Sequence, residues 1–177
     1  MLQNKKNILI VGMTGVGKTT IGRLLAKKLN KKFFDSDHEI ELASGLRIPD
    51  FFTKFGEKEF RKLEKKIITK LLNQNKNIVL STGAGFVSDT KFNEFVFSES
   101  LCIYLSAKIE TLYQRLIGNI RNRPKLNEGN LKENLNKMYE LRTQEYIKAQ
   151  IKIEVDELSI PDILALILDS LKENERI

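Results

Sequence analysis

KNILIVGMTGVGKTTIGRLLAKKL, residues 6–29, decides how the rest of this chain is read. Asn7 to Val11 is a short apolar run whose Ile8, Ile10 and Val11 are β-branched, the composition of a strand buried on both faces. A glycine-rich loop runs from Gly12 to Thr19, and Ile21, Leu24, Leu25 and Leu29 then recur at helical spacing. The loop fits G-x-x-x-x-G-K-[ST], with the strand before it and the helix after it that this pattern requires. Gly12, Gly15 and Gly17 let backbone N–H groups curl round an anion, where the helix N-terminus adds partial positive charge. The side chain of Lys18 can reach β- and γ-phosphates, and the Thr19 hydroxyl can ligate Mg²⁺. The stretch therefore predicts a nucleoside-triphosphate site, with Gly12, Gly15, Val16, Gly17, Lys18, Thr19 and Thr20 as its nucleotide-binding residues.

The 177 residues suffice for one domain with a sizeable core, and 41% of them are hydrophobic. No apolar run reaches the length of a membrane span, and the N-terminal one ends in the phosphate loop rather than a cleavage site. Cys102 is the single cysteine, which excludes an intrachain disulfide and suits a reducing cytoplasm. Thirty basic residues against 23 acidic give a net charge of +7. The lysines are scattered without a long basic run, so this reads as a solvated surface that favours anionic small molecules rather than nucleic acid.

Working outward, strands and helices alternate. A short strand from Lys32 to Phe34 ends at Asp35-Ser36-Asp37, and a helix over 37–44 stops at Gly45. Pro49 opens a short helical piece carrying Phe51, Phe52 and Phe55. Glu57 to Leu72 follows as a helix with Phe60, Leu63, Ile67, Ile68, Leu71 and Leu72 on one face. Ile78–Leu80 is a strand ending in Ser81-Thr82-Gly83-Ala84-Gly85. A helix after Ser88, a strand over 101–105 and a helix over 109–117 continue the pattern. Residues 118–129 (GNIRNRPKLNEG) carry no periodicity, and a loop of that length inside a compact domain is usually functional or disordered. Asn130 with Glu133 caps a helix to about Lys148, 151–155 is the fifth strand, and Pro161 sits near the start of a last helix to about Leu171. Five strands alternating with helices predict a parallel sheet covered on both faces, with ligands at the carboxyl ends of the strands.

The chemistry-bearing residues gather at those ends. Asp35 and Asp37 follow strand two, where one carboxylate can serve a Mg²⁺ shell and the other a substrate hydroxyl; such a pair also caps helices. Arg61 and Glu64 are spaced i, i+3, so the carboxylate can hold the guanidinium for a fork onto an anion. Gly83-Ala84-Gly85 offers backbone N–H groups. Arg121 and Arg123 lie in the long loop, and Arg142 on the helix after it. His38 is the only histidine, so a histidine metal cluster or a Ser-His-Asp triad is excluded, and Cys102 inside an apolar strand reads as core.

In this order the features resemble the shikimate kinases over roughly residues 6 to 170. The resemblance is carried by the phosphate loop Gly12 to Thr19, Asp35-Ser36-Asp37, and Gly56-Glu57 with Phe60-Arg61-Lys62-Leu63-Glu64. Gly83-Ala84-Gly85, Arg123-Pro124 and Arg142 complete it. It implies an α/β three-layer αβα P-loop kinase fold with a five-stranded parallel sheet. It also implies ATP as co-substrate, Mg²⁺ as cofactor and shikimate as acceptor, in a cytoplasmic monomer that binds neither membrane nor nucleic acid. By the same resemblance Asp37 takes the proton of the shikimate 3-hydroxyl, Asp35 lies in the outer Mg²⁺ shell, and Arg61 and Arg142 grip the shikimate carboxylate with Glu64 bracing Arg61. Gly83, Ala84 and Gly85 bind substrate oxygens through their N–H groups, Arg123 closes over the γ-phosphate, Arg115 lies beneath adenine, and Phe52 and Phe60 wall the substrate pocket.

Three positions depart from the family pattern: Ala84 in place of the middle glycine, Lys125 in place of a lid leucine, and Gln144-Glu145 ahead of Tyr146 in place of Pro-Leu. Two alternatives stay open at this point. One is a kinase of the same fold acting on gluconate, a nucleotide or another small hydroxylated substrate. The other is a kinase-like binding protein without turnover.

Overall fold

The computed structural model describes residues 7–85, 89–117 and 130–175. Strands β1 (Ile8–Gly12), β2 (Lys32–Asp35), β3 (Ile78–Ser81), β4 (Leu101–Ser106) and β5 (Ile151–Glu154) form one parallel sheet in the order β2-β3-β1-β4-β5. The strand order reverses at β1, so a crevice opens beyond its carboxyl end, between the loops after β3 and β4. Every residue of β1 and β3 is buried, as expected of central strands with helices on both sheet faces. Leu9, Ile10, Leu80 and Ile103 are fully inaccessible. Each such side chain contributes about 1.5–3 kcal/mol by leaving water.

The helices are α1 (Lys18–Lys28), α2 (Ser36–Ser44), α3 (Ile48–Gln74), α4 (Thr90–Glu99), α5 (Ile109–Leu116), α6 (Leu131–Tyr146) and α7 (Ile160–Glu175). Asn130 caps α6 by accepting from Lys132 N and Glu133 N, and the left-handed Gly45 ends α2. Two differences from the expected elements have local causes. The pieces read separately around Pro49 and Glu57 run on as α3, interrupted only where Gly56 leaves helical geometry at φ 77°. The last helix extends past Leu171 to Glu175 because its polar end continues the helix beyond the last core contact.

The main core lies between the sheet and its flanking helices. A second, smaller core of Ile40, Phe51 and Phe60, with Phe52, Leu63 and Ile67 against it, joins α2 to α3. That second core fixes α2 and α3 above the carboxyl ends of β2 and β3. Among the described residues no helix is long and apolar enough to cross a membrane.

Candidate active site

The loop after β1 has backbone that only glycine serves well. Gly12 has φ 145° and any Cβ there would overlap the Leu105 carbonyl oxygen of β4; Gly17 has φ 106° and caps α1 in the left-handed region. Lys18 is buried, and its Nζ donates to the Gly12 and Met13 carbonyls at 2.9 Å each, which holds the charge over the loop. The Thr19 hydroxyl donates to Asp35 Oδ2 at 2.6 Å. Oδ1 of the same carboxylate caps α2, accepting from Asp37 N at 3.0 Å and His38 N at 3.5 Å. Asp35 thus caps the helix through one oxygen and accepts from the phosphate-loop hydroxyl through the other. Arg115, in the last turn of α5, donates from Nη1 to the Val16 carbonyl at 3.1 Å.

Opposite this loop stand side chains from α2, α3 and α6. Arg61 is held on several sides: Nη1 lies 2.6 Å from Glu64 Oε2, Nε and Nη2 each lie 3.4 Å from Glu57 Oε1, and the guanidinium sits over the Phe60 ring at 5.1 Å. Glu64 is 1% exposed, and burial pushes its pKa up to about 7 against the opposing field of Arg61. Burial likewise pushes the Arg142 guanidinium below its ordinary value. Glu64 Oε1 and Arg142 Nη1 are buried without a hydrogen-bond partner among the described residues. An unsatisfied acceptor and donor in the same wall are costly unless a ligand serves them.

Two glycines of the loop after β3 make room for these groups. A Cβ on Gly83 would sit 2.6 Å from Asp37 Oδ1 and 3.0 Å from Glu64 Oε1. One on Gly85 would lie 2.7 Å from Arg61 Cζ and 2.9 Å from its Nη1. Side chain and loop are therefore packed as one unit. The Gly83 N–H is already donated to Ser36 Oγ at 3.0 Å, so the expectation that this loop's N–H groups serve a ligand excepts Gly83.

A single cavity of about 440 Å³ joins the two halves. Gly15, Gly17, Lys18, Thr19, Thr20, Asp35, Asp37, Arg61, Gly83, Ala84, Gly85, Arg115 and Arg142 all line it. Gly12 and Val16 do not line it: both are buried within the loop, and Val16 is 2% exposed. Arg123 and Lys125 lie outside the described residues. Phe52 and Phe60 both belong to the second core and line the cavity, so wall and core are the same residues.

Several contributors escaped the sequence reading. Ser36 is fully buried and ties Gly83 to the start of α2; its place between two aspartates was the available signal. Glu57 is a second carboxylate on Arg61, and Ile48 and Met138 complete the cavity wall. Tyr146, four residues after Arg142, donates to the Ala84 carbonyl. Of the departures from the family pattern, Ala84 lines the cavity but is absent from the positive-φ residues. Glu145 turns away from the cavity, accepting from Asn93 Nδ2 at 2.9 Å and pairing with Lys148 at 2.7 Å.

A triphosphate cradle thus shares one cavity with an acceptor pocket of carboxylates and guanidiniums, which defines a small-molecule kinase of the phosphate-loop class. Comparisons with known proteins narrow the class. The family model of shikimate kinase matches residues 14–172. The chain is 38% identical over 167 residues to the shikimate kinase of Burkholderia thailandensis, covering 94% of this chain and 90% of that one. The structure of shikimate kinase from Acinetobacter baumannii in complex with shikimate superposes with a TM-score of 0.90 at 36% identity, over 95% of this chain and 93% of that one. A gluconokinase from Sinorhizobium meliloti, at 12% identity and a TM-score of 0.59, shares the fold alone. The chain belongs to the shikimate kinase family.

Proposed function

We propose that this enzyme transfers the γ-phosphoryl group of ATP to the 3-hydroxyl of shikimate, giving shikimate 3-phosphate and ADP. The observation that carries this reading is the acceptor end of the cavity. Arg61, braced by Glu64, and Arg142, with a buried guanidinium nitrogen unpartnered among the described residues, line the same wall as Asp37. Two guanidiniums suit a ring carboxylate, and a neutral polyol gains nothing from them. On this reading the acid is held by the two guanidiniums, and its hydroxyl is directed to Asp37 and the phosphate loop, which line the same cavity.

On this reading Asp37 accepts the hydroxyl proton as the oxygen attacks the γ-phosphorus. The bond from that phosphorus to the β,γ-bridging oxygen breaks, and ADP leaves. Lys18 and the N–H groups of residues 15–20 offset charge on the β- and γ-oxygens. Arg115 holds the Val16 carbonyl and so stiffens the loop beside the nucleotide. Arg123 is assigned to the γ-phosphate by the resemblance alone. The donor set fits Mg²⁺: Thr19 Oγ1 and Asp35 Oδ2 are hard oxygens 2.6 Å apart at the phosphate loop. When bound there, the ion supplies charge neutralisation at the β- and γ-phosphates.

The test is a coupled ADP-release assay of the purified protein against shikimate, quinate, gluconate and a nucleoside monophosphate. Shikimate is expected to give the highest kcat/KM. Faster turnover of any other acceptor, or ADP release independent of acceptor, overturns the reading.

A further inference from the structure

Tyr146 closes α6 and is fully buried. Its ring stacks on Tyr104 of β4 with centroids 5.2 Å apart and planes at 30°. A phenylalanine would make that contact equally well, so packing does not account for the hydroxyl. The hydroxyl donates to the Ala84 carbonyl oxygen in the loop after β3. The Arg142 guanidinium, one turn earlier on α6, faces the same phenol oxygen. Burial raises the phenol's pKa, so the group remains a proton donor throughout the neutral range. One hydroxyl thus touches both halves of the acceptor pocket.

The contact with Ala84 has a directional consequence. The backbone has no cis peptide bond among the described residues, and in a trans peptide the C=O and the following N–H point in opposite directions. Fixing the Ala84 oxygen on Tyr146 therefore aims the Gly85 N–H away from the protein interior beneath it. Gly85 lines the cavity and packs against the Arg61 guanidinium. With the Gly83 N–H already donated to Ser36, this peptide is the adjustable part of the loop.

We propose that Tyr146 is a positioning residue for the acceptor substrate: its hydroxyl sets the Ala84–Gly85 peptide and Arg142 in fixed relation, so that a backbone donor and a guanidinium address one bound acid together. The inference deepens the proposed function and rests on it for the identity of that acid. It does not depend on the nucleotide half of the site. Nor does it require Tyr146 to touch substrate.

The test compares the parent with Tyr146→Phe, and with Tyr104→Phe as a control that removes a neighbouring buried hydroxyl facing Ser106 and Thr143 instead. For Tyr146→Phe the KM for shikimate is expected to rise at least tenfold, with the KM for ATP within twofold and kcat within threefold. Tyr104→Phe is expected to leave both KM values within twofold. A purely structural role predicts a lowered Tm with an unchanged KM for shikimate, and that result overturns the inference. A second readout needs no turnover. In protein labelled with ¹⁵N-glycine, which has only 10 sites, the Gly85 amide resonance should shift in Tyr146→Phe but not in Tyr104→Phe. If the parent does not phosphorylate shikimate, the proposed function fails and the Gly85 amide alone decides: an amide unchanged in Tyr146→Phe refutes the positioning role.

Discussion

Gly85→Ala and Ala84→Gly change adjacent residues by one methyl group each, in opposite directions, and the structure predicts opposite outcomes. A methyl on Gly85 would lie 2.7 Å from Arg61 Cζ and 2.9 Å from Nη1, well inside van der Waals contact. A free arginine would swing aside cheaply. Arg61 is not free: Nη1 is 2.6 Å from a carboxylate that is itself 1% exposed, and Glu57 holds the other edge. The guanidinium must move by something on the order of 1 Å, and a displacement of that size disrupts productive contacts. Losing one charge-assisted contact to a substrate carboxylate costs about 1.5–3 kcal/mol, or roughly 10- to 150-fold in KM. We predict that Gly85→Ala raises the KM for shikimate within that range, with the KM for ATP within twofold. Ala84 has no positive φ to relieve, so Ala84→Gly should shift the KM for shikimate by less than about threefold. Steady-state kinetics in both substrates decide the matter. A Gly85→Ala enzyme with a KM for shikimate within threefold of the parent would refute the reasoning, because it would show that Arg61 is either mobile or not used.

Further predictions concern the proton and the buried acid. Asp37→Asn should lower kcat by about 10²–10⁴ while ATP still binds in an equilibrium titration, and Lys18→Ala should damage both nucleotide affinity and turnover. For Glu64 the folded pKa, about 7, lies above the ordinary 4.5, so the folded state keeps a proton that the unfolded chain releases. The stability this group contributes is therefore full below about pH 4.5 and is lost as pH rises to about 7. The whole effect is on the order of 3 kcal/mol. Glu64→Gln stays neutral at every pH, so the Tm of the parent minus that of the variant should fall by several degrees between pH 5 and pH 8, by calorimetry. A difference independent of pH would mean that Glu64 stays ionised throughout.

The sheet, the phosphate loop and most of the charged side chains that line the cavity were legible from local pattern, whereas apolar wall residues such as Ile48 and Met138 were not. A strand, a glycine-rich turn and a helix in sequence fix where an anion goes. Alternating elements fix which loops share an edge. What was not legible is the set of contacts made across the chain. Ser36 reads in sequence as a spacer between two aspartates; only the pairing of β2 with β3 brings its hydroxyl to the Gly83 N–H, 47 residues away. Gly83 and Gly85 read as flexible donors, whereas in the fold they are the space that Asp37, Glu64 and Arg61 occupy. Ala84 can stand at the middle position because its backbone does not adopt a positive φ. Tyr146 reads as one more aromatic at the end of a helix, and its meaning depends on a carbonyl 62 residues upstream. Sequence periodicity says which face of an element is buried, but the partner of a buried polar atom is set by register and helix placement. The acceptor pocket, built from α2, α3, α6 and the loop after β3, depends on that long-range placement far more than the phosphate loop does. Changes in acceptor specificity within this fold should accordingly arise at residues such as Ser36, Ala84 and Tyr146, whose effect passes through the backbone, as readily as at the arginines themselves.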